Sequence, residues 1–326
     1  MNATTLLDVR DLRVTLERSR KPLHVVDGAS FSVAENETLG IVGESGCGKS
    51  TTALAILRLL TRNQGWRLSG EVRFGNRDVL RMSEKDVRAL RGGDIAMILQ
   101  DPMTSLNPLF TVGSQIEEAL ALHRNLKKEL RPTAVVDRLR LLRIPAPQDR
   151  ARSYPHQLSG GTRQRVVGAI AMACRPRLLI ADEPTTALDV TVQAQYLDLL
   201  RDLQREFGMA MIFITHDFGV VARMCDRVCV MYAGKVVESA PVQAIFDGPA
   251  HWYTAALLGG IPTMGEQPRR LVTIQGCPPA LGQLPPGCRF APRCRNAGGK
   301  CKQEEPPVAR IGMDHHAACW YPRGKS

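Results

Sequence analysis

The sequence predicts an α/β fold in which a largely parallel sheet carries helices on both faces. Three observations lead there. The apolar run 38-TLGIV-42 passes into the glycine-rich GESGCGKST and then into the apolar-periodic 53-ALAILRLL-60, a strand, a loop and a helix in succession. The runs 178-LLIAD-182 and 211-MIFIT-215 are apolar without interruption over strand length, as central strands covered on both faces are. Helical periodicity follows each of them, at 190–206 and 217–224, so strands and helices alternate.

The remaining elements fit that frame. Residues 6-LLDVRDLRVTL-16 alternate apolar and polar and read as a half-buried strand. A short strand at 71-EVRF-74 precedes a turn at Gly75-Asn76, and 95-IAMIL-99 is a further buried run. Residues 113–150 have helical period with polar faces and break at 144-IPAP-147. Beyond residue 250 proline, glycine, cysteine and arginine dominate and periodicity fades. One helix is expected at 252-WYTAALL-258, followed by loops that need an external staple. The expected domains are therefore 1–250, with a helical subdomain at about 113–175, and an appended 251–326.

Bulk properties limit the function. The chain has 326 residues, 44% hydrophobic and 23% charged, as a soluble globular protein does. The start MNATTLLDVRDLRV lacks a basic region followed by an apolar run, so no secretory signal is read. The most apolar stretches, such as 166-VVGAIAMAC-174, are half of the roughly 18 residues that span a bilayer. A cytoplasmic protein with reduced or metal-bound thiols is expected. The net charge of +11 lies in 1–150 and 251–326, while 151–250 is balanced. No basic run is interleaved with aromatics, which are 5% of the chain, so the charge reads as a solvated surface and no nucleic acid is expected.

Four clusters carry chemistry. Gly43-Glu44-Ser45-Gly46-Cys47-Gly48-Lys49-Ser50, followed by Thr51, fits the phosphate-loop pattern between a strand and a helix. Its small residues let backbone N–H groups converge on phosphate oxygens, Lys49 reaches the β- and γ-phosphates, and the Ser50 hydroxyl ligates Mg²⁺. Asp182 and Glu183 end a buried strand, where open α/β sheets bind ligands. Asp182 suits Mg²⁺, and Glu183 suits orienting or deprotonating a water. Taken alone, the pair would be two solvated acids at a strand end. The stretch 158-LSGGTRQRV-166 opens a helix at Ser159, Gly160 and Gly161, an anion site in itself. A second phosphate-grade N-terminus in a chain that already has a phosphate loop suggests a site shared between two subunits. The fourth cluster is Cys288, Cys294, Cys301 and Cys319, spaced by five, six and seventeen residues. Four thiolates suit Zn²⁺ or an iron–sulfur cluster. The missing tight pair disfavours zinc, His315 and His316 keep a mixed zinc site open, and unligated thiols remain a third reading.

Taken together these motifs resemble the nucleotide-binding subunit of ABC transporters: a P-loop NTPase with a RecA-like core, a β subdomain and a helical signature subdomain. GESGCGKS matches Walker A, Gln100 in MILQDPMTSLNP the Q-loop, LSGGT the signature, LLIADE Walker B, TALD with Asp189 the D-loop, and His216 in ITHD the switch histidine. The resemblance implies a head-to-tail dimer trapping two ATP molecules between one subunit's Walker A and the other's signature. It implies Glu183 as catalytic base, His216 at the γ-phosphate, and Gln100, Ser50 and Asp182 around Mg²⁺. Two features depart from the pattern. Thr162 stands where the family usually has Gln, and 15-TLERSRKPLH-24 lacks the adenine-stacking aromatic, leaving Leu16 or His24.

The end of the chain narrows the resemblance. Residues 251-HWYTAALLGGIP-262 and 276-GCPPALGQLPPGCRFAPRC-294 are similar to the C-terminal extension of dipeptide/oligopeptide importer ATPases, in some of which four cysteines ligate a [4Fe–4S] cluster. The implied partners are a second ATPase subunit, a paralogue rather than a copy, two transmembrane permeases and an extracytoplasmic solute-binding protein. The implied location is peripheral, on the cytoplasmic face of the inner membrane. A soluble DNA-maintenance ATPase of the same class is the rival, but 52–157 holds no sustained heptads.

Overall fold

The structure is a computed structural model that describes residues 4–17, 21–124, 126–261 and 274–324. Its strands are β1 (Thr5–Leu16), β2 (Leu23–Ala34), β3 (Thr38–Val42), β4 (Trp66–Phe74), β5 (Arg77–Asp78), β6 (Ile95–Ile98), β7 (Leu178–Asp182), β8 (Ala210–Thr215), β9 (Arg227–Tyr232), β10 (Lys235–Pro241), β11 (Val308–Gly312) and β12 (His315–Ala318). The chain divides into two compact units, one of residues 1–4, 34–37 and 81–213, the other of 5–33, 38–80 and 214–326.

In the first unit β6 and β7 pair in parallel from Ile95↔Leu178 to Ile98↔Ala181, and all five residues of β7 are buried. The stretch 113–150 forms three helices, Val112–Arg124, Arg131–Leu141 and Pro147–Arg152. The break falls where the sequence places it. Arg143 and Ala146 take left-handed backbone at φ 50° and 48°, and Pro147 opens the next helix, where its missing N–H is not needed. The helix Val190–Phe207 buries one face through Tyr196, Leu197, Leu199, Leu200 and Leu203 and stops at Gly208, whose φ of 60° suits a residue without a Cβ.

The second unit holds an antiparallel sheet in the order β2-β1-β4-β5 and a group ordered β11-β12-β10-β9-β3. Within the latter β3 and β9 are parallel, Leu39↔Arg227 to Val42↔Val230, and the other pairs are antiparallel. The helix expected at 53–60 begins earlier, at Lys49, directly on the glycine loop. It ends at Ile56, just before Arg58 turns to φ 50°.

The tail corrects one expectation. It is more than loops: Gly299–Gln303 is helical, and β11 and β12 form a hairpin whose second strand extends the sheet through Glu238↔Ala317 and Ser239↔His316. It also joins a core. Phe290 is buried with Val230, Tyr232 and Tyr253, and Leu284, Cys288 and Cys294 pack against that cluster. Rings of Tyr232 and Tyr253 lie 4.6 Å apart, and Phe290 meets Tyr232 edge-on at 5.3 Å. A buried ion pair adds to this. Arg289 bonds Asp27 and the Ala233 carbonyl. The tail therefore has apolar and ionic anchors of its own.

Candidate functional site

The glycine loop belongs to the second unit, and its shape requires glycine. Gly43, Gly46 and Gly48 have φ of 155°, 78° and 105°. A Cβ on Gly43 would stand 2.2 Å from the Met231 carbonyl oxygen, and one on Gly48 would stand 2.9 Å from that of Val25. At Gly43 and Gly48 the loop thus lies against β9 and β2 backbone with no room for a side chain. Lys49, 6% exposed, donates from Nζ to the carbonyls of Gly43 (2.7 Å) and Glu44 (3.1 Å), which holds its ammonium over the loop. Ser45, Gly46 and Ser50 are exposed on the same loop, and Thr51 is half-buried. Cys47 is buried, and burial pushes its thiol up. In this unit also, Thr215 ends β8 in the buried interior, and His216 follows it exposed. Asp217 caps the helix Phe218–Met224 by accepting from Gly219 N–H at 2.7 Å. His24 shares a 3.0 Å hydrogen bond between Nδ1 and Thr15 Oγ1, and residues 18–20 of the 15–24 stretch lie outside the described residues.

The first unit carries the acidic cluster. Asp182 ends β7 almost fully buried. Glu183 comes next with φ 45°, a left-handed backbone unusual for a residue with a Cβ, and this turns its side chain out of the strand's alternation. Its Oε2 accepts from Gln100 Nε2 at 3.0 Å and from Thr186 Oγ1 at 3.1 Å. The sequence marked Gln100 and Glu183 separately. Thr186, the second donor, is marked in the sequence only by its place three residues after Glu183. Asp189 caps the helix Val190–Phe207 by accepting from Val192 N–H at 2.9 Å.

The signature stretch opens the helix Gly160–Ala171, with Ser159 as N-cap. Gly160 has open space where a Cβ would be, while a Cβ on Gly161 would approach Val192 at 2.9 Å. Thr162 answers its departure from the pattern locally: its Oγ1 lies 2.9 Å from Ser159 Oγ, and its N–H donates to the same oxygen. The hydroxyl contact thus adds to a cap that the backbone N–H of residue 162 already makes.

Four of the tail's five cysteines line one cavity of about 10 Å³, with His251, Phe290 and Trp320 beside Cys288, Cys294, Cys301 and Cys319. All nine cysteines are free thiols. Burial pushes Cys319 up to about 11 and also raises Cys288 and Cys294, so these are protonated at neutral pH until a ligand displaces the proton. Among the described residues no group of three or more His, Cys, Asp or Glu side chains is arranged to hold a metal ion, His315 and His316 included. His315 is instead engaged by Glu238, 2.7 Å from Nε2.

Comparison with known proteins gives this geometry its class. Residues 26–186 match the ABC transporter family, and residues 237–301 match the oligopeptide/dipeptide transporter C-terminal region. The chain is 50% identical to a probable peptide ABC transporter ATP-binding protein of Sinorhizobium fredii over 98% of this chain and 95% of that one. It is 49% identical to a dipeptide transport ATP-binding protein of Haemophilus influenzae over 94% and 93%. Among solved structures, the dimeric ATP-binding cassette MJ0796 bound to ADP and Pi superposes with a TM-score of 0.65 at 27% identity, covering 72% of this chain and 98% of that one. The cassette cbiO1 of Clostridium perfringens gives 0.62 at 27% identity, covering 75% and 91%. The fold is that of an ATP-binding cassette. The chain belongs to the ABC transporter family, as one of its ATP-hydrolysing subunits.

Proposed function

We infer that the chain hydrolyses ATP to drive a peptide importer. The observation that carries this is the combination of a Walker A cradle with a tail matching the oligopeptide/dipeptide transporter region, in a chain whose relatives are named for peptide transport over nearly their full length. No helix among the described residues is long and apolar enough to cross a membrane. Two permease subunits, a solute-binding protein and a second ATPase subunit complete the assembly, with this chain peripheral on the inner face of the membrane. Exposed Met103, Leu109 and Phe110, close in sequence after Gln100, offer the permeases an apolar contact.

In this reading the N–H groups of residues 43–51 and the Lys49 ammonium hold the triphosphate. Hard oxygen donors suit Mg²⁺, and the hydroxyl of Ser50, the carboxylate of Asp182 and the amide oxygen of Gln100 are such donors. The last is supported by Gln100 spending its amide nitrogen on Glu183. Bound Mg²⁺ would neutralise charge on the phosphates. Glu183 takes the proton of the attacking water, and His216 contacts the γ-phosphate. Ser159, Gly160 and Gly161 close on the partner subunit's nucleotide. Support comes from the open helix tip at Gly160 and from the dimeric state of the cassette with ADP and Pi. The test is reconstitution with permeases and binding protein in proteoliposomes. Peptide-stimulated ATP hydrolysis with peptide uptake supports the reading, and hydrolysis indifferent to every peptide would overturn it.

A second reading concerns the tail. Four thiols lining one cavity are a donor set that suits a [4Fe–4S] cluster or Zn²⁺, although as placed no three of them are arranged around an ion. The cavity is small, so loading requires the surrounding loops to spread. Iron and acid-labile sulfide in anaerobically purified protein would support the cluster, and their absence would remove it.

A further inference from the structure

Glu44, the second residue of the glycine loop, is held from three sides by residues of its own unit. Its carboxylate receives the fork of Arg293, Nη1 at 2.6 Å and Nη2 at 3.0 Å, and its backbone N–H donates to Tyr253 Oη at 2.9 Å. Its carbonyl accepts from Lys49 Nζ at 3.1 Å. Arg293 is itself fixed. Its Nε donates to the Gln275 carbonyl at 3.1 Å, Nη1 also donates to Tyr232 Oη at 3.3 Å, and its guanidinium carbon lies 5.8 Å from the centre of the Tyr232 ring. The Arg293 side chain is 4% exposed against 28% for Glu44, so the arginine is part of the interior and the carboxylate comes to it.

This arrangement does more than join the tail to the core. A loop with three glycines at positive φ has many conformations to lose when its N–H groups converge on phosphate. A planar guanidinium fork fixes both the direction and the position of the carboxylate it binds. Held this way, Glu44 keeps its negative charge on Arg293 and away from the triphosphate that Lys49 receives. The same residue presents to Lys49 one of the two carbonyls that seat its ammonium. The partners are 249 positions apart in sequence.

We propose that Arg293 is a positioning residue for ATP: by clamping Glu44 it sets the conformation of the phosphate loop in advance, so that the C-terminal region tunes nucleotide affinity. The proposal rests on the reading of residues 43–51 as the ATP loop. A purely structural ion pair would change the stability of the fold and leave ATP affinity alone. A clamp changes KM far more than kcat, because its contribution is made on binding.

The experiment uses the full-length chain with its transporter partners. Steady-state hydrolysis is measured against Mg-ATP concentration, binding of trinitrophenyl-ATP by fluorescence, and Tm without nucleotide. Arg293→Gln is expected to raise KM and the dye-nucleotide Kd about tenfold, ~1.4 kcal/mol, with kcat within about twofold. Arg293→Lys, which keeps the charge but loses the fork, is expected to fall between. Glu44→Gln combined with Arg293→Gln is expected to be no worse than the weaker-binding single variant. KM and Kd unchanged in Arg293→Gln, whatever happens to Tm, would overturn the proposal. If Arg293→Gln does not fold, Arg293→Lys and Glu44→Gln decide by the same criterion. Wild-type protein that fails to bind the nucleotide would instead overturn the assignment of the loop.

Discussion

Gln100 donates its side-chain amide to the carboxylate of Glu183 across 3.0 Å, and Thr186 supplies a second donor to the same oxygen at 3.1 Å. Two donors on one oxygen aim the carboxylate, and its left-handed backbone gives it a direction that the regular strand would not. In the proposed reading, the glutamine assigned to coupling thereby touches the residue assigned to activate water. Gln100→Ala should lower turnover by roughly ten- to hundredfold while nucleotide still binds, less than the roughly 10²–10⁴-fold a general base supplies, because Glu183 remains and only its aim is lost. Stopped-flow or coupled-enzyme kinetics over a Mg²⁺ titration checks it, and wild-type kcat at saturating Mg²⁺ would refute the link.

Gly43 has a φ of 155°, and a Cβ there would stand 2.2 Å from the Met231 carbonyl oxygen. Gly43→Ala therefore cannot be absorbed by a rotamer change; the loop or β9 must move. A loss of about 2–3 kcal/mol is expected from strain of this kind, together with lost nucleotide binding. Thermal unfolding in the absence of nucleotide measures the first, and an unchanged Tm would contradict the packing described.

Cys47 lies buried in the phosphate loop, and burial raises its pKa, so little thiolate exists at neutral pH. Alkylation should be slow at pH 7, quicken as pH rises, and slow further with Mg-ATP bound. Exposed Cys277 should be modified first. Mass spectrometry of iodoacetamide-treated protein orders the two sites, and prior modification of Cys47 would contradict its burial.

The loop motifs were legible because each needs particular residues at fixed spacing: glycines where Cβ atoms do not fit, a lysine at the helix start, acids at a strand end. The strands β3, β7 and β8 were legible because buried strands are apolar throughout. The tail was not. Its hairpin strands VARIG and HHAA have few β-branched residues and no aromatics, and they are strands because they pair with each other and the second pairs with β10. Nor could one sequence show that Arg293 meets Glu44 or that Phe290 meets Tyr232, since such contacts arise only after distant segments fold together. The helix at 53–60 was misplaced because apolar period marks the buried turns, and the first turn of this helix is the phosphate loop's own lysine and hydroxyls.

His251 lines the cysteine cavity, fully enclosed, and burial pushes it down to about 4. Its Nδ1 accepts from Tyr253 N–H at 3.1 Å, which requires the neutral ring. The unfolded chain takes up this proton near its ordinary value of 6.5, so stability is full above that and falls as pH drops from about 6.5 towards 4, by up to roughly 3 kcal/mol. His251→Asn keeps an acceptor without the titration. Its stability, followed by urea unfolding at pH 7 and pH 4.5, should lose less on acidification than that of the wild type. An equal loss in both would place the acid sensitivity elsewhere.

The most direct test of the account is single-turnover and steady-state hydrolysis by Glu183→Gln in the assembled transporter, with bound nucleotide identified after rapid gel filtration. ATP should be retained intact on the protein and turnover reduced at least about a hundredfold, because the loop still binds while the proposed base is gone. Turnover at the wild-type rate, or loss of ATP binding with the fold intact, would contradict it.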